Sequence, residues 1–262
     1  AELIASYYEM LSEMYPLMQG DLRYGLHSDI NRNGFLNANA SNGILKLRVA
    51  PYIVDSLIEQ KELSNQLCKE NSAFIDFGSG GGDMLMQVAE TIDVDLFGLD
   101  ISSDAISTAE ENVEKNGFSN KIKFQQGSIV SKNDMLALKD SLGTNEVVSS
   151  INFIMHDVGE KMSKDFLKNY SDVFGSSPLV ITESLRMPIE VLKSNPNYQA
   201  ASFEFMHRAS GQELFFDNQL RNILETSGFE IISEKVHSSM PNVSKTLERK
   251  ATIVTWVVRA RV

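Results

Sequence analysis

The chain has 262 residues, 42% of them hydrophobic and 23% charged, and a net charge of −11. That length allows one large domain or two small ones, with a core big enough to fold without disulfides or a structural metal. The single cysteine, Cys68, excludes a disulfide framework and cysteine zinc sites and suits a reducing, cytoplasmic setting. The acidity argues against nucleic acid as a partner, and no apolar run reaches the roughly 20 residues of a membrane span.

The amino terminus carries Glu2 where a signal peptide would be basic, so it reads as part of the protein body. A first residue that is Ala rather than Met is expected of a processed chain or of a domain excised from a longer one. Residues 1 to 70 show helical apolar spacing twice, from Leu3 to Tyr15 and from Ile44 to Ile58. Between them, Asp21 to Gly43 is rich in Gly, Asn and Asp, a loop-like stretch long enough to be functional. The expectation is a helical lid over 1 to 70 ahead of a core over 71 to 262.

From Ala73 onward short β-type runs alternate with amphipathic helical segments, the grammar of an α/β fold with a largely parallel sheet. Strands are expected at Phe74 to Phe77, Leu96 to Asp100, Ile122 to Gln125, Val147 to Ile151, Leu179 to Glu183, Phe229 to Glu234 and Ile253 to Arg259. One helix is expected to start at an N-cap of Ser102 or Ser103 and to stop at Gly117, another to be capped by Asp217 or Asn218 and closed at Gly228. The last two strands are joined by a polar segment containing Pro241 with no helical stripe, so they are expected to pair antiparallel. Seven strands in a doubly wound sheet with an antiparallel last strand is the layout of the class I methyltransferase fold.

The run Phe74-Ile75-Asp76-Phe77-Gly78-Ser79-Gly80-Gly81-Gly82-Asp83 is a strand entering a glycine loop ahead of a helix, where the backbone can bend sharply and approach a ligand. A dinucleotide fingerprint would put its third small residue where Asp83 stands, and a pyrophosphate would meet that carboxylate. Instead, Asp100 ends the second strand, placed to accept hydrogen bonds from both hydroxyls of a ribose, although it also suits an N-cap or turn. Together, D-F-G-S-G-G-G-D, G-L-D-I-S and the closing hairpin resemble the S-adenosylmethionine-dependent class I methyltransferases over residues 73 to 262. The resemblance implies that Asp76, Gly78, Gly80, Asp100 and Ile101 hold S-adenosylmethionine, with Ser128 and Ile129 beside the adenine.

The fourth strand leads into Asn152-Phe153-Ile154-Met155-His156-Asp157, at the strand end where open α/β sheets bind ligands. This segment, VITESLRMP and SGQELFFDNQLRNILETSGFEII resemble the small-molecule O-methyltransferases, in which a His at this point is the general base. A second His, His207 in Glu204-Phe205-Met206-His207-Arg208, makes the chain similar to that group's mononuclear-iron branch, which C-methylates α-keto acids or carrier-bound acyl groups of polyketide synthases. That resemblance implies a transition metal, iron or manganese, on His156 and His207, with Gln212 as third ligand and Asp157 as another candidate; the alternative for His207 is a helix-surface or packed residue. The acceptor is then a free small molecule or a group on an acyl carrier protein, which Lys245, Arg249 and Lys250 are one option to dock. His27 and His237 are expected to be structural.

Overall fold

The computed structural model describes residues 8–22, 50–144, 146–186, 188, 190, 207–208, 211–237 and 253–261. Two short helices, α1 (Tyr8–Ser12) and α2 (Met14–Gln19), precede α3 (Ala50–Glu59) and α4 (Lys61–Leu67). Most of the Asp21 to Gly43 stretch, His27 and the docking candidates Lys245, Arg249 and Lys250 lie outside the described residues. The core then runs β1 (Ala73–Phe77), α5 (Asp83–Thr91), β2 (Asp95–Asp100), α6 (Ser103–Lys115), β3 (Ile122–Gln126), α7 (Lys132–Leu142), β4 (Val147–Asn152), α8 (Met155–Phe174), β5 (Leu179–Ser184), α9 (Asp217–Thr226), β6 (Phe229–His237) and β7 (Ile253–Ala260).

The seven strands form one sheet in the order β3-β2-β1-β4-β5-β7-β6. The first five are parallel, while β7 runs antiparallel to both neighbours and enters between β5 and β6. All seven expected strands are present. The largest difference is at β6, which continues to His237 because its pairing with β7 survives a bulge between Ile231 and Ser233 and reaches Ile253.

Alternation along the strands divides the core in two. Ile75, Phe77, Ile151, Ile181 and Trp256 face α7, α8 and α9, whereas Phe74, Val148, Val180 and Val257 face α3, α4 and α5 through Ile53, Leu57, Leu63 and Leu85. The helices of 50 to 67 therefore build one face of the core. In the first layer Phe77 meets Phe166, Tyr170 and Phe174 edge-on at centroid distances of 5.4, 5.9 and 6.0 Å, an arrangement that suits the ring quadrupoles.

Helix ends follow local chemistry. Ser102 caps α6 by accepting the Ala105 N–H at 3.2 Å, and Gly117 takes φ +78° just beyond its end. The α9 cap differs from expectation: the chain turns at Phe216, whose N–H donates to Gln219 Oε1 at 2.8 Å. Asp217 is already helical, and its carboxylate holds Arg221 Nε at 2.8 Å one turn on, so it is not the cap.

Phe77 sits at the centre of the aromatic group that carries the first layer. Phe77→Ala is expected to cost about 3–5 kcal/mol, while Ile58→Ala, at an exposed position, should change stability by less than about 0.5 kcal/mol. Urea denaturation of both variants measures the difference.

Candidate active site

Parallel register puts the ends of β1, β4 and β5 at one level: Asp76 lies opposite Ser150, and Asn152 opposite Thr182. The loops leaving these ends therefore meet above the sheet. Asp76 is buried, and its Oδ1 accepts Ser150 Oγ at 2.6 Å and Asn152 Nδ2 at 3.1 Å. Loss of solvation pushes its carboxyl up to about 7, the two hydrogen bonds pull against that shift, and the nearby Asp100 charge adds to it. Two further buried polar atoms here, Ser79 Oγ and Asn152 Oδ1, have no hydrogen-bond partner in the protein. Orphaned polar atoms in the glycine loop and at the end of β4 are what a polar ligand would satisfy.

The loop itself has little room for side chains. Gly78 has φ +75°, and a Cβ there would lie 2.7 Å from the Ile154 side chain, so the loop after β1 and the turn after β4 are packed into one another. The Asp100 carboxylate ties the cradle together, Oδ2 accepting the Gly80 N–H and Oδ1 the Ser102 N–H, both at 2.9 Å. Each oxygen retains a second lone pair, so the turn role and a ribose role coexist on one side chain. Asp83 opens α5, where an anion suits the helix dipole.

The other expected cofactor residues are spread around this cradle. Ile101 is exposed, and its carbonyl accepts Gln126 Nε2 at 3.2 Å. Ser128 donates its N–H to Asp134 Oδ2 at 2.8 Å, while Ile129 is buried in the layer beneath, with Met135 and Leu138.

The histidines come together. His156 and His207 lie 51 residues apart, yet their ring centroids are 5.1 Å from one another, and both are buried. Asp157 and Gln212 join them through a hydrogen bond from Gln212 Nε2 to Asp157 Oδ1, and Gln212 N–H donates to the His207 carbonyl at 2.8 Å. The Glu213 N–H donates to the His156 carbonyl at 2.9 Å, which fastens the two segments backbone to backbone. Gly159, at φ +77°, breaks the helical stretch of α8 and leaves His156 and Asp157 on a short turn of their own. His237 lies elsewhere, stacked on Tyr52 at 4.2 Å and bonded through Nε2 to Thr255 Oγ1 at 2.9 Å; burial pulls its pKa down to about 4, so it is neutral.

Sequence reasoning missed Glu183. This carboxylate at the end of β5 is 1% exposed and accepts His156 Nδ1–H at 2.6 Å and the Met155 N–H at 2.7 Å. A carboxylate partner on Nδ1 fixes the tautomer that leaves the Nε2 lone pair as donor. An acid closing an otherwise apolar strand, level with the histidine strand, was the signal that could have found it. Ser150 and Asn152 were missed as well, since their partner Asp76 lies across a strand pairing.

The comparisons with known proteins decide the family. A protein-family profile described as "Methyltransferase domain" matches residues 68–254. The chain belongs to that methyltransferase domain family. Over 124 residues it is 32% identical to a phosphoethanolamine N-methyltransferase of Plasmodium falciparum, covering 47% of this chain and 43% of that protein. It thus spans less than half the length of that curated relative. Its fold is similar to an O-methyltransferase family protein from Burkholderia thailandensis, with a TM-score of 0.66, 12% identity and coverage of 97% of this chain and 69% of that one. An O-methyltransferase from neocarzinostatin biosynthesis, solved with S-adenosylhomocysteine and a dihydroxynaphthoic acid, has a TM-score of 0.53 at 12% identity, with 98% and 68% covered. The seven-stranded fold and the methyltransferase domain family agree with one another. Among the described residues, no helix is long and apolar enough to cross a membrane.

The methyltransferase's Asp76 links the site to pH. Its carboxyl is raised from 3.8 to about 7 on folding, so the native chain binds more protons than the unfolded one between those values. The stabilising contribution is complete below about pH 4 and is lost as the pH rises through 7, a swing of roughly 4 kcal/mol at most. Denaturation of the ligand-free protein across pH 4 to 8 should show Asp76→Asn gaining on the wild type through this window and then running parallel to it.

Proposed function

We propose that the domain methylates the carbon α to a carbonyl of a small acyl acceptor, with His156, His207 and Gln212 holding a mononuclear transition metal, iron or manganese. The acceptor on this reading is a malonyl-type group on an acyl carrier protein, as in polyketide biosynthesis, or a free α-keto acid. The observation that supports it is the meeting of two buried imidazoles from distant segments at 5.1 Å, with Asp157 and Gln212 hydrogen-bonded beside them.

The donor set fits such a metal in chemistry. A carboxylate on the far nitrogen of His156 is the usual support of a ligating imidazole, and two imidazoles with an amide oxygen suit iron or manganese while leaving positions for a chelating dicarbonyl. Among the described residues, no group of three or more His, Cys, Asp or Glu is arranged to hold a metal ion, so the set would rest on the two histidines and Gln212. When bound, the metal would act as a Lewis acid toward the acceptor carbonyl. The chain's own residues do the rest. Glu183 orients His156, the Glu213 N–H fixes the strand of backbone that carries it, and Asp157 holds the Gln212 amide. Asp100 and the glycine loop place the methyl donor, and in-line transfer then depends mainly on the approach of nucleophile to methyl. Of residues 1 to 70, expected as a lid, the helices of 50 to 67 are spent on one face of the core, so the covering role proposed here, which would exclude water, falls to the part ahead of Ala50.

A second reading is favoured by the 2.6 Å contact of Glu183 with His156, which also suits a general base for methylation at oxygen, the chemistry named for several structural neighbours. The two readings differ at His207. Metal content of protein purified without chelators, turnover after chelation and add-back, and mass spectrometry of the product separate them. The acceptors are carrier-bound malonyl or methylmalonyl and a free α-keto acid. On the metal reading, His207→Ala lowers turnover by about 100-fold or more and empties the metal, with cofactor affinity kept. Full activity in metal-free protein, or a methyl group on oxygen, overturns it in favour of the second.

The cofactor side has its own measurement. Asp100→Ala removes a charged acceptor from the ribose and frees Gly80 from its tether, so S-adenosylmethionine affinity should fall by about 1–3 kcal/mol in calorimetry. Unchanged affinity would remove Asp100 from the site.

A further inference from the structure

Phe153 is one of two non-glycine residues among those described with positive φ, at +58°, a conformation that side chains with a Cβ rarely adopt. Its surroundings hold it there from three directions. Asn152 before it is bonded to Asp76, Ile154 after it fills the space that Gly78 leaves, and the Phe153 N–H donates to the Thr182 carbonyl at 2.8 Å. A glycine would take this backbone without strain, and an asparagine with little. Strain of this kind persists at functional sites because the side chain is needed where the strained backbone puts it.

That position lies between the two halves of the site. The backbone of the turn rides on the glycine loop through Ile154 and Gly78, and the Phe153 ring stands 6.5 Å from the His156 ring at an interplanar angle of 69°. A donor on the glycine loop and an acceptor beside His156 would therefore lie on either side of this turn. Phe153 packs against the core layer of α3, α4 and α5 and is half-buried, so part of it stays outside that packing. An aromatic face attracts a cation held close to it in a desolvated site.

We propose that Phe153 is a cofactor-recognition residue whose ring faces the sulfonium of S-adenosylmethionine, so that the charged donor is held more firmly than the neutral product S-adenosylhomocysteine. The inference rests on the cofactor lying on the glycine loop and is independent of the acceptor and of the metal. It gives the strained backbone a reason: discharge of the sulfonium removes the attraction in the same step that forms the product.

Calorimetric titration of the full chain with S-adenosylmethionine and with S-adenosylhomocysteine tests it, on the wild type, Phe153→Gly and Phe153→Leu. Glycine accepts the backbone and removes the ring, whereas leucine keeps apolar bulk and loses only the aromatic face. In both variants the ratio of the two affinities should shift against S-adenosylmethionine by about three- to tenfold, with S-adenosylhomocysteine affinity within about twofold of the wild type. Equal weakening of both ligands, or a wild-type ratio in Phe153→Leu, would mean that the ring is packing alone and would overturn the proposal. A wild type that binds neither ligand would overturn the cofactor reading and this inference together.

Discussion

The arrangement above the sheet depends on a carboxylate taken almost fully out of water at the end of β5. Glu183 is tolerable there because its oxygens accept Met155 N–H, His156 Nδ1–H and, at 3.3 Å, the N–H of Ser184. An unpaired buried carboxylate would cost several kcal/mol, so wherever β5 puts it, the start of α8 must come to meet it. This requirement sets the direction of the imidazole, on the short turn that ends at Gly159. It also brings the His207 to Glu213 segment into place, since that segment bonds to the His156 backbone. A parallel register in which Asn152 pairs with Thr182 is what makes the meeting possible.

The glycine-loop half, proposed for the cofactor, is built on a different principle. Its polar groups are backbone N–H donors and two aspartates, Asp100 bonded to the loop and Asp76 bonded to β4. Asp100 organises the loop by accepting Gly80 and Ser102, so it is ordered before any ligand arrives. Asp76 lies deeper, carries a raised pKa and is propped by Ser150 and Asn152, which extend the cradle under β4. Preordering of this kind lowers the cost of binding, since the loop does not have to be frozen by the ligand.

The sequence was most readable where local pattern and tertiary role coincide. Strands such as Phe74 to Phe77 are short apolar runs bounded by turn residues, and the Ser102 cap is decided within four residues, so both were legible. The α9 cap was misplaced because two side chains near Phe216 could each do the job; Asp217 turned to Arg221, and Gln219 reached back instead. The pairing of His156 with His207 followed from a family resemblance and not from spacing, and the structure places the rings side by side. Glu183 was harder to read for a different reason. Its significance depends on a strand pairing and on the loss of water around it, neither of which is written in nearby residues.

The two halves differ in what can change. The donor side is made from backbone, from glycines without room for a Cβ and from carboxylates already committed to the loop, so substitution there would cost the fold as well as the ligand. The acceptor side is made from side chains on segments that follow β4 and β5, and its polar contacts are between side chains, as in Asp157 with Gln212. Exchange of one such side chain leaves the sheet intact while it alters the nucleophile that can be accommodated. Among the described residues, Ser150, Asn152, Phe153 and Ile154 link the two halves, each touching one half or lying between them. A fold organised in this way can keep one methyl donor while its acceptor chemistry varies, because the described link between the two sides is one short stretch at the end of β4.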